Sequence, residues 1–166
     1  MDAQTMARAI GEELVRLDMV PPGSKAELFR AMADDLAADG RIGDVEEFLA
    51  ALEERERLGP TYMGDGLALP HGRSATVRRP SVVFWRLRAP LAYTSCGETG
   101  EVRRVFMLAV PDGADTEHLQ ALALLARLLM DDDAVHALDA ARTPVEAVDI
   151  VVAFARAREA EAALRS

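Results

Sequence analysis

The chain has 166 residues, half of them hydrophobic and 28% charged, with one cysteine and a net charge of −9 at pH 7. Such a balance fits one globular domain with its own core rather than a disordered chain. The acidic excess argues against a nucleic-acid or anionic-membrane surface, which needs clustered Lys and Arg, and the lone Cys96 excludes an internal disulfide or a cysteine-built zinc site. A small phosphorylated substrate or a basic protein partner stays compatible with this charge. No apolar run approaches the ~18 residues of a membrane span. The opening "MDAQTMARAIGEELVRLDMV" has no signal-peptide apolar stretch, so a cytoplasmic protein is expected.

The first organised piece is "LVRLDMV", residues 14–20, whose alternation predicts a strand. After "PPGS", Ser24 and Glu27 form a capping box. Leu28, Phe29, Met32, Leu36 and Ala37 then keep helical spacing to about Ala38, and Gly40 ends the helix. Asp44 caps a second helix over 45–58, with Val45, Phe48, Leu49 and Leu52 apolar and Gly59-Pro60 beyond its end. A Gly-rich stretch follows, in which "LAL" (67–69) reads as a short buried strand. "SVVFWRL" (81–87) reads as a strand, 88–104 as a loop or weak hairpin, and "VFMLAV" (105–110) as a central strand covered on both faces. The span 115–131 predicts the most apolar helix, with Leu119, Leu122, Ala123, Ala126, Leu129 and Met130 on its buried face and Leu125 and Leu128 widening it. A short helix over about 134–141 precedes Thr143, Pro144 and Glu146, which supply the cap, first-turn proline and acid of a last helix reaching about Ala162. Interleaved helices and strands predict one α/β domain, a mixed β-sheet flanked by helices on both faces. The domain is expected over 1–155, with 156–166 a C-terminal tail or the start of a linker.

Three histidines can be weighed singly. His136 lies in the polar "DDDAVHALDAAR" and reads as a surface residue. His71 follows a predicted strand and enters a loop: Pro70 fixes the backbone, Gly72 frees it to turn away, and the imidazole projects beside Arg73. His118 falls in the first turn of a predicted helix, where unpaired N–H groups favour an anion. A zinc site needs three or four ligands, and H-E-x-x-H spacing is missing; Asp65 or Asp115 would have to complete it, and nothing requires a metal. G-x-S-x-G, P-loop and dinucleotide fingerprints are absent too. What remains is histidine as nucleophile: neutral imidazole can attack a phosphoryl group through one nitrogen while the other holds the proton. Positive charge then does most of the stabilising, and Arg55 and Arg73 are the candidate donors.

The stretch "RERLGPTYMGDGLALPHGRS" (55–74) resembles the active-site block of the enzyme IIA domains of the bacterial phosphotransferase system, mannitol/fructose type. "FMLAVPDGADTEHLQALALLARLL" (106–129) resembles that family's strand, loop and second-histidine helix, and the likeness spans roughly 14–155. The resemblance implies a phosphoryl carrier without a cofactor. His71 would accept the group from an HPr-type phosphocarrier and pass it to a cysteine of a IIB domain of a sugar permease. His118 would lie across the pocket, Arg55 would supply charge, Thr61 a hydroxyl, and Asp65, within the Gly-Asp-Gly step, would hold a loop or a ring nitrogen. Pro60 and Tyr62 in "GPTYMGD" side with mannitol-type members, whereas "AVPDGADTEHLQAL" sides with fructose-like ones, so the sugar stays open. A regulatory protein of the nitrogen-branch kind shares the pocket, a His/Asp metal-binding module is the remote alternative, and a homodimer is compatible with either phosphoryl reading.

Overall fold

The computed structural model describes residues 2–166, the side chains of Asp115 and Glu117 excepted. Helices α1 (Ala3–Ala9), α2 (Lys25–Ala38) and α3 (Val45–Leu58) precede most of the sheet, with β1 (Val15–Met19) between the first two. Then come β2 (Tyr62–Gly64), β3 (Leu67–Ala68), β4 (His71–Ser74), β5 (Ser81–Ser95) and β6 (Glu98–Pro111). Helices α4 (Asp115–Leu129), α5 (Asp132–Ala140) and α6 (Pro144–Arg165) close the chain. Local capping starts three of the helices as their sequence predicts: Ser24, Asp44 and Thr143 each accept from the backbone N–H three residues on.

The sheet is mixed, with β1 parallel to β5, β5 antiparallel to β6, β3 and β4 both parallel to β6, and β2 antiparallel to β3. Residues 105–110 of β6 are all buried, as a strand covered on both faces must be. Alternation splits its side chains between two cores. Phe106, Leu108 and Val110 join α1, α4, α5 and α6; Val105, Met107 and Ala109 join α2 and α3. The expected α/β domain with helices on both faces is therefore what forms.

Several local expectations change. Helix α1 replaces the unstructured start, with the Asp2 carboxylate accepting from Thr5 N–H. Of the two readings of residues 88–104 the hairpin is the one that forms: they are the outer arms of the long β5–β6 hairpin, with Leu91, Tyr93 and Val102 buried. In α4 the buried face is Ala121, Leu124, Leu125, Leu128 and Leu129, whereas Leu119 is 67% and Met130 78% exposed; a helix apolar nearly all round gives periodicity no phase to choose. Finally, His71 does not enter a loop but opens strand β4, in register with Leu108 of β6. The last helix also continues past Ala162 to Arg165. Among the described residues no helix is long and apolar enough to cross a membrane.

Candidate functional site

The run Leu67–Ser74 lies alongside β6 in one register, interrupted only at Leu69-Pro70. That interruption has a chemical use. The Leu69 carbonyl leaves the ladder and meets His71 Nδ1 at 3.1 Å, while Pro70 offers its own carbonyl to Leu108 N–H at 3.0 Å. A carbonyl only accepts, so Nδ1 carries the ring proton. On the other side Arg55 Nε donates to His71 Nε2 at 2.9 Å. A guanidinium only donates, so Nε2 bears the lone pair. Two independent partners thus select one tautomer. His71 is 9% exposed, and burial first, then the Arg55 charge and His118, push its pKa down to about 4 despite the Leu69 bond. The ring is neutral, with a nucleophilic Nε2, across the physiological pH range.

Helix α3 delivers Arg55 from its last turn, where Nη1 also donates to the Gly59 carbonyl at 2.8 Å. Gly72 is what lets α3 come so close. A Cβ there would stand 3.2 Å from Leu52 N and 3.4 Å from the Ala51 carbonyl carbon. Its role is this close approach of strand to helix rather than a turn of the chain away from His71. His118 arrives from the first turn of α4, its ring centre 5.4 Å from that of His71 and tilted by 53°. Arg73 Nη2 donates to His118 Nδ1 at 3.2 Å. Arg55, His71, Gly72, Arg73 and His118 line one cleft of about 340 Å3, with Leu58 at its rim. Four nitrogen-bearing side chains thus converge where a phosphoryl group would add negative charge, and electrostatic stabilisation favours that arrangement.

Thr61 and Asp65 stand elsewhere. Thr61 is buried, and its Oγ1 donates to Glu56 Oε1 at 2.5 Å and pairs with the Tyr93 hydroxyl at 2.6 Å. Glu56 also accepts from Lys25 Nζ at 2.8 Å and Ser95 Oγ at 2.6 Å. Burial alone would push its carboxyl up, but these donors hold it below the ordinary value, while burial and Glu56 push the Tyr93 phenol up. Thr61 therefore braces the helix turn that carries Arg55. Asp65 occupies the exposed two-residue turn of the β2–β3 hairpin, where it and Gly66 have φ of +51° and +77°. Positive φ at both central positions is what an Asp-Gly hairpin turn requires. The Gly-Asp-Gly step is thus a turn, not a wall of the cleft, and Asp65 offers its carbonyl to Arg104 Nη1 at 3.1 Å. Cys96 is exposed in the matching turn of the β5–β6 hairpin. Among the described residues no three His, Cys, Asp or Glu side chains are grouped to hold a metal ion; the Asp115 carboxylate lies outside those described.

Sequence reasoning missed Glu56 and the Leu69 carbonyl. The first had a signal, a carboxylate beside Arg55 in a half-apolar helix end. The second had none, because a backbone acceptor is set by the course of the strand.

The chain is similar to known proteins over most of its length. The family described as phosphoenolpyruvate-dependent sugar phosphotransferase system, EIIA 2, matches residues 9–153. The chain is 38% identical over 124 residues to the PTS system 2-O-alpha-mannosyl-D-glycerate-specific EIIABC component of Escherichia coli K12, which is 74% of this chain but 19% of that longer protein. It is 35% identical over 133 residues to the nitrogen regulatory protein of Bradyrhizobium diazoefficiens, covering 78% of this chain and 86% of that one. The crystal structure of nitrogen regulatory protein IIA-Ntr from Neisseria meningitidis matches with a TM-score of 0.78 at 30% identity, over 88% of this chain and 98% of that one. The chain belongs to the EIIA 2 family of the phosphoenolpyruvate-dependent sugar phosphotransferase system.

Proposed function

We propose that this protein carries a phosphoryl group on Nε2 of His71, taking it from an HPr-type phosphocarrier and giving it to the cysteine of a IIB partner that serves sugar uptake. The observation that carries the reading is the ring's two-sided anchoring: Nδ1–H on the Leu69 carbonyl and a bare Nε2 aimed at Arg55. In the transfer, the N–P bond of the donor's phosphohistidine breaks as the Nε2–P bond forms. Nδ1 keeps its proton throughout, and the Leu69 carbonyl stabilises the positive charge the ring acquires. Arg55 must then turn from Nε2 to the phosphoryl oxygens, and His118 with Arg73 meets them from the opposite wall. The carrier works in the cytoplasm and needs no cofactor.

Incubation with phosphoenolpyruvate, enzyme I and HPr is expected to add one acid-labile phosphoryl group. His71→Ala abolishes labelling, and His118→Ala slows it. Full labelling of the His71→Ala protein would refute the assignment. A second reading, a regulatory protein whose partners respond to its phosphorylation, is favoured by one observation: the chain is similar to nitrogen regulatory proteins in both sequence and structure, at 35% and 30% identity. Phosphotransfer to a panel of sugar IIB domains separates the two, since a transport carrier discharges to one of them and a regulator keeps its label.

A further inference from the structure

The β5–β6 hairpin carries four arginines, Arg86, Arg88, Arg103 and Arg104, on its two arms. Arg86 and Arg104 stand directly opposite in the antiparallel register. Like charges in that position repel, so the fold needs counter-charge there. Part of it is built in. Arg104 Nε and Nη2 each meet the Asp139 carboxylate at 2.5 Å. Arg86 is 9% exposed; its Nη2 reaches Asp18 Oδ1 at 3.1 Å, and its Nη1 donates to the carbonyls of Leu138 and Ala141 at 2.7 and 2.8 Å. Those carbonyls close the C-terminal end of α5, so Arg86 is a fixed part of the wall.

Arg88 and Arg103 are differently placed. Arg88 Nε donates to the Asp18 carbonyl at 3.2 Å, and Arg103 Nη2 to the Arg88 carbonyl at 3.1 Å. Among the described residues neither has a carboxylate partner. Together these groups enclose a cleft of about 320 Å3 in which Leu87 is the single apolar residue. Four guanidinium groups face two carboxylates, a positive cavity in a chain whose net charge is −9.

The backbone around the cleft is irregular on two strands at once. Asp18 has φ +55°, in the left-handed region that non-glycine residues rarely occupy, where the β1–β5 register shifts between Arg16 and Met19. The β5–β6 register shifts between Arg86 and Leu91. Bulges and left-handed residues of this kind concentrate where a strand re-aims side chains at a ligand. Here the left-handed Asp18 turns its carboxylate to Arg86 and its carbonyl to Arg88.

We propose that this cleft binds a small metabolite bearing two or more oxyanion charges, with Arg86 and Arg104 as its fixed wall and Arg88 and Arg103 closing on the ligand. Guanidinium forks match phosphate and carboxylate oxygens alike, and the cleft volume of about 320 Å3 suits a compact ligand. The site is separate from the His71 cleft. His71 aligns with Leu108, roughly 13 Å along β6 from Arg104, so the proposal stands whether or not the phosphoryl-carrier reading does.

The test is calorimetric titration of the whole chain with inorganic pyrophosphate and with citrate at low salt, accompanied by amide NMR shifts. Expected are saturable binding of at least one probe that weakens with salt and shifts at residues 18, 86–88, 103, 104 and 139. Arg88→Gln and Arg103→Gln should each lower affinity about tenfold, leave the thermal midpoint unchanged and leave His71 labelling intact. Pyrophosphate binding with citrate silent identifies a phosphate ligand, and the reverse a carboxylate ligand. Absence of saturable binding of either probe at millimolar concentration, shifts confined to residues 55, 71, 73 and 118, or undiminished affinity in both variants would overturn the proposal.

Discussion

At the scale of single residues, His71 links stability to pH. Its folded pKa of about 4 lies below the ordinary 6.5, so between those values the unfolded chain binds the proton more readily. The contribution of the neutral ring is full above pH 6.5 and is lost as pH falls towards 4. At ~1.4 kcal/mol per pH unit, the loss is at most about 3 kcal/mol. Urea unfolding at pH 7 and pH 4.5 is expected to show it, and the His71→Asn protein to show a smaller difference; equal pH dependence in the two would refute the buried neutral ring. Glu56 is the other residue with leverage. Its four donors sit behind Arg55, two of them on β5. Glu56→Gln removes the charge that Lys25 faces while keeping the shape. We expect a stability loss of about 1–3 kcal/mol in urea unfolding, together with slower phosphorylation because the α3 end loosens.

At the scale of elements, three of the helix starts were legible and the strand ends were not, for physical reasons. Ser24, Asp44 and Thr143 act over three residues, within reach of any local reading. Strand β4 is "HGRS", and it is a strand only because β6 runs beside it. The outer hairpin arms, legible only as a loop or weak hairpin, carry a stronger local sign of strand: Leu91, Tyr93 and Ser95 are buried while Ala92 and Thr94 are exposed, a period of two. The charged residues of 98–104 masked the partner arm. The α3–β4 contact yields a sharper prediction. Gly72→Val should cost about 1–3 kcal/mol by overpacking against Ala51 and Leu52. By moving Arg55 off His71 it should also slow phosphorylation. A stable, fully active Gly72→Val protein would show that the close approach is dispensable.

At the scale of the molecule, the two halves of the site come from distant segments. His71 lies on β4 and Arg55 on α3, near in sequence and joined by the Gly72 packing; His118 is brought in by the loop that follows β6. The motif around His71 was readable as chemistry. Which nitrogen reacts was not, because that depends on the Leu69 carbonyl and on where α3 ends. The roles first expected of Thr61 and Asp65 shifted for the same reason: sequence proximity to His71 did not measure distance to the cleft. The last buried residue of α6 is Ala155, and beyond it Glu159 accepts from Ala3 N–H. A chain ended at Ala155 should keep its fold and lose only about 1 kcal/mol in urea unfolding; a larger loss would show that the last turns of α6 hold α1 by more than that bond. The central claim is that Nε2 of His71 takes the phosphoryl group. Long-range 1H–15N spectra of the protein phosphorylated through HPr test it most directly. The account predicts phosphate on Nε2 of His71, with Nδ1 still protonated, in both the unaltered chain and His118→Ala; phosphate on Nδ1, or on His118, would contradict it.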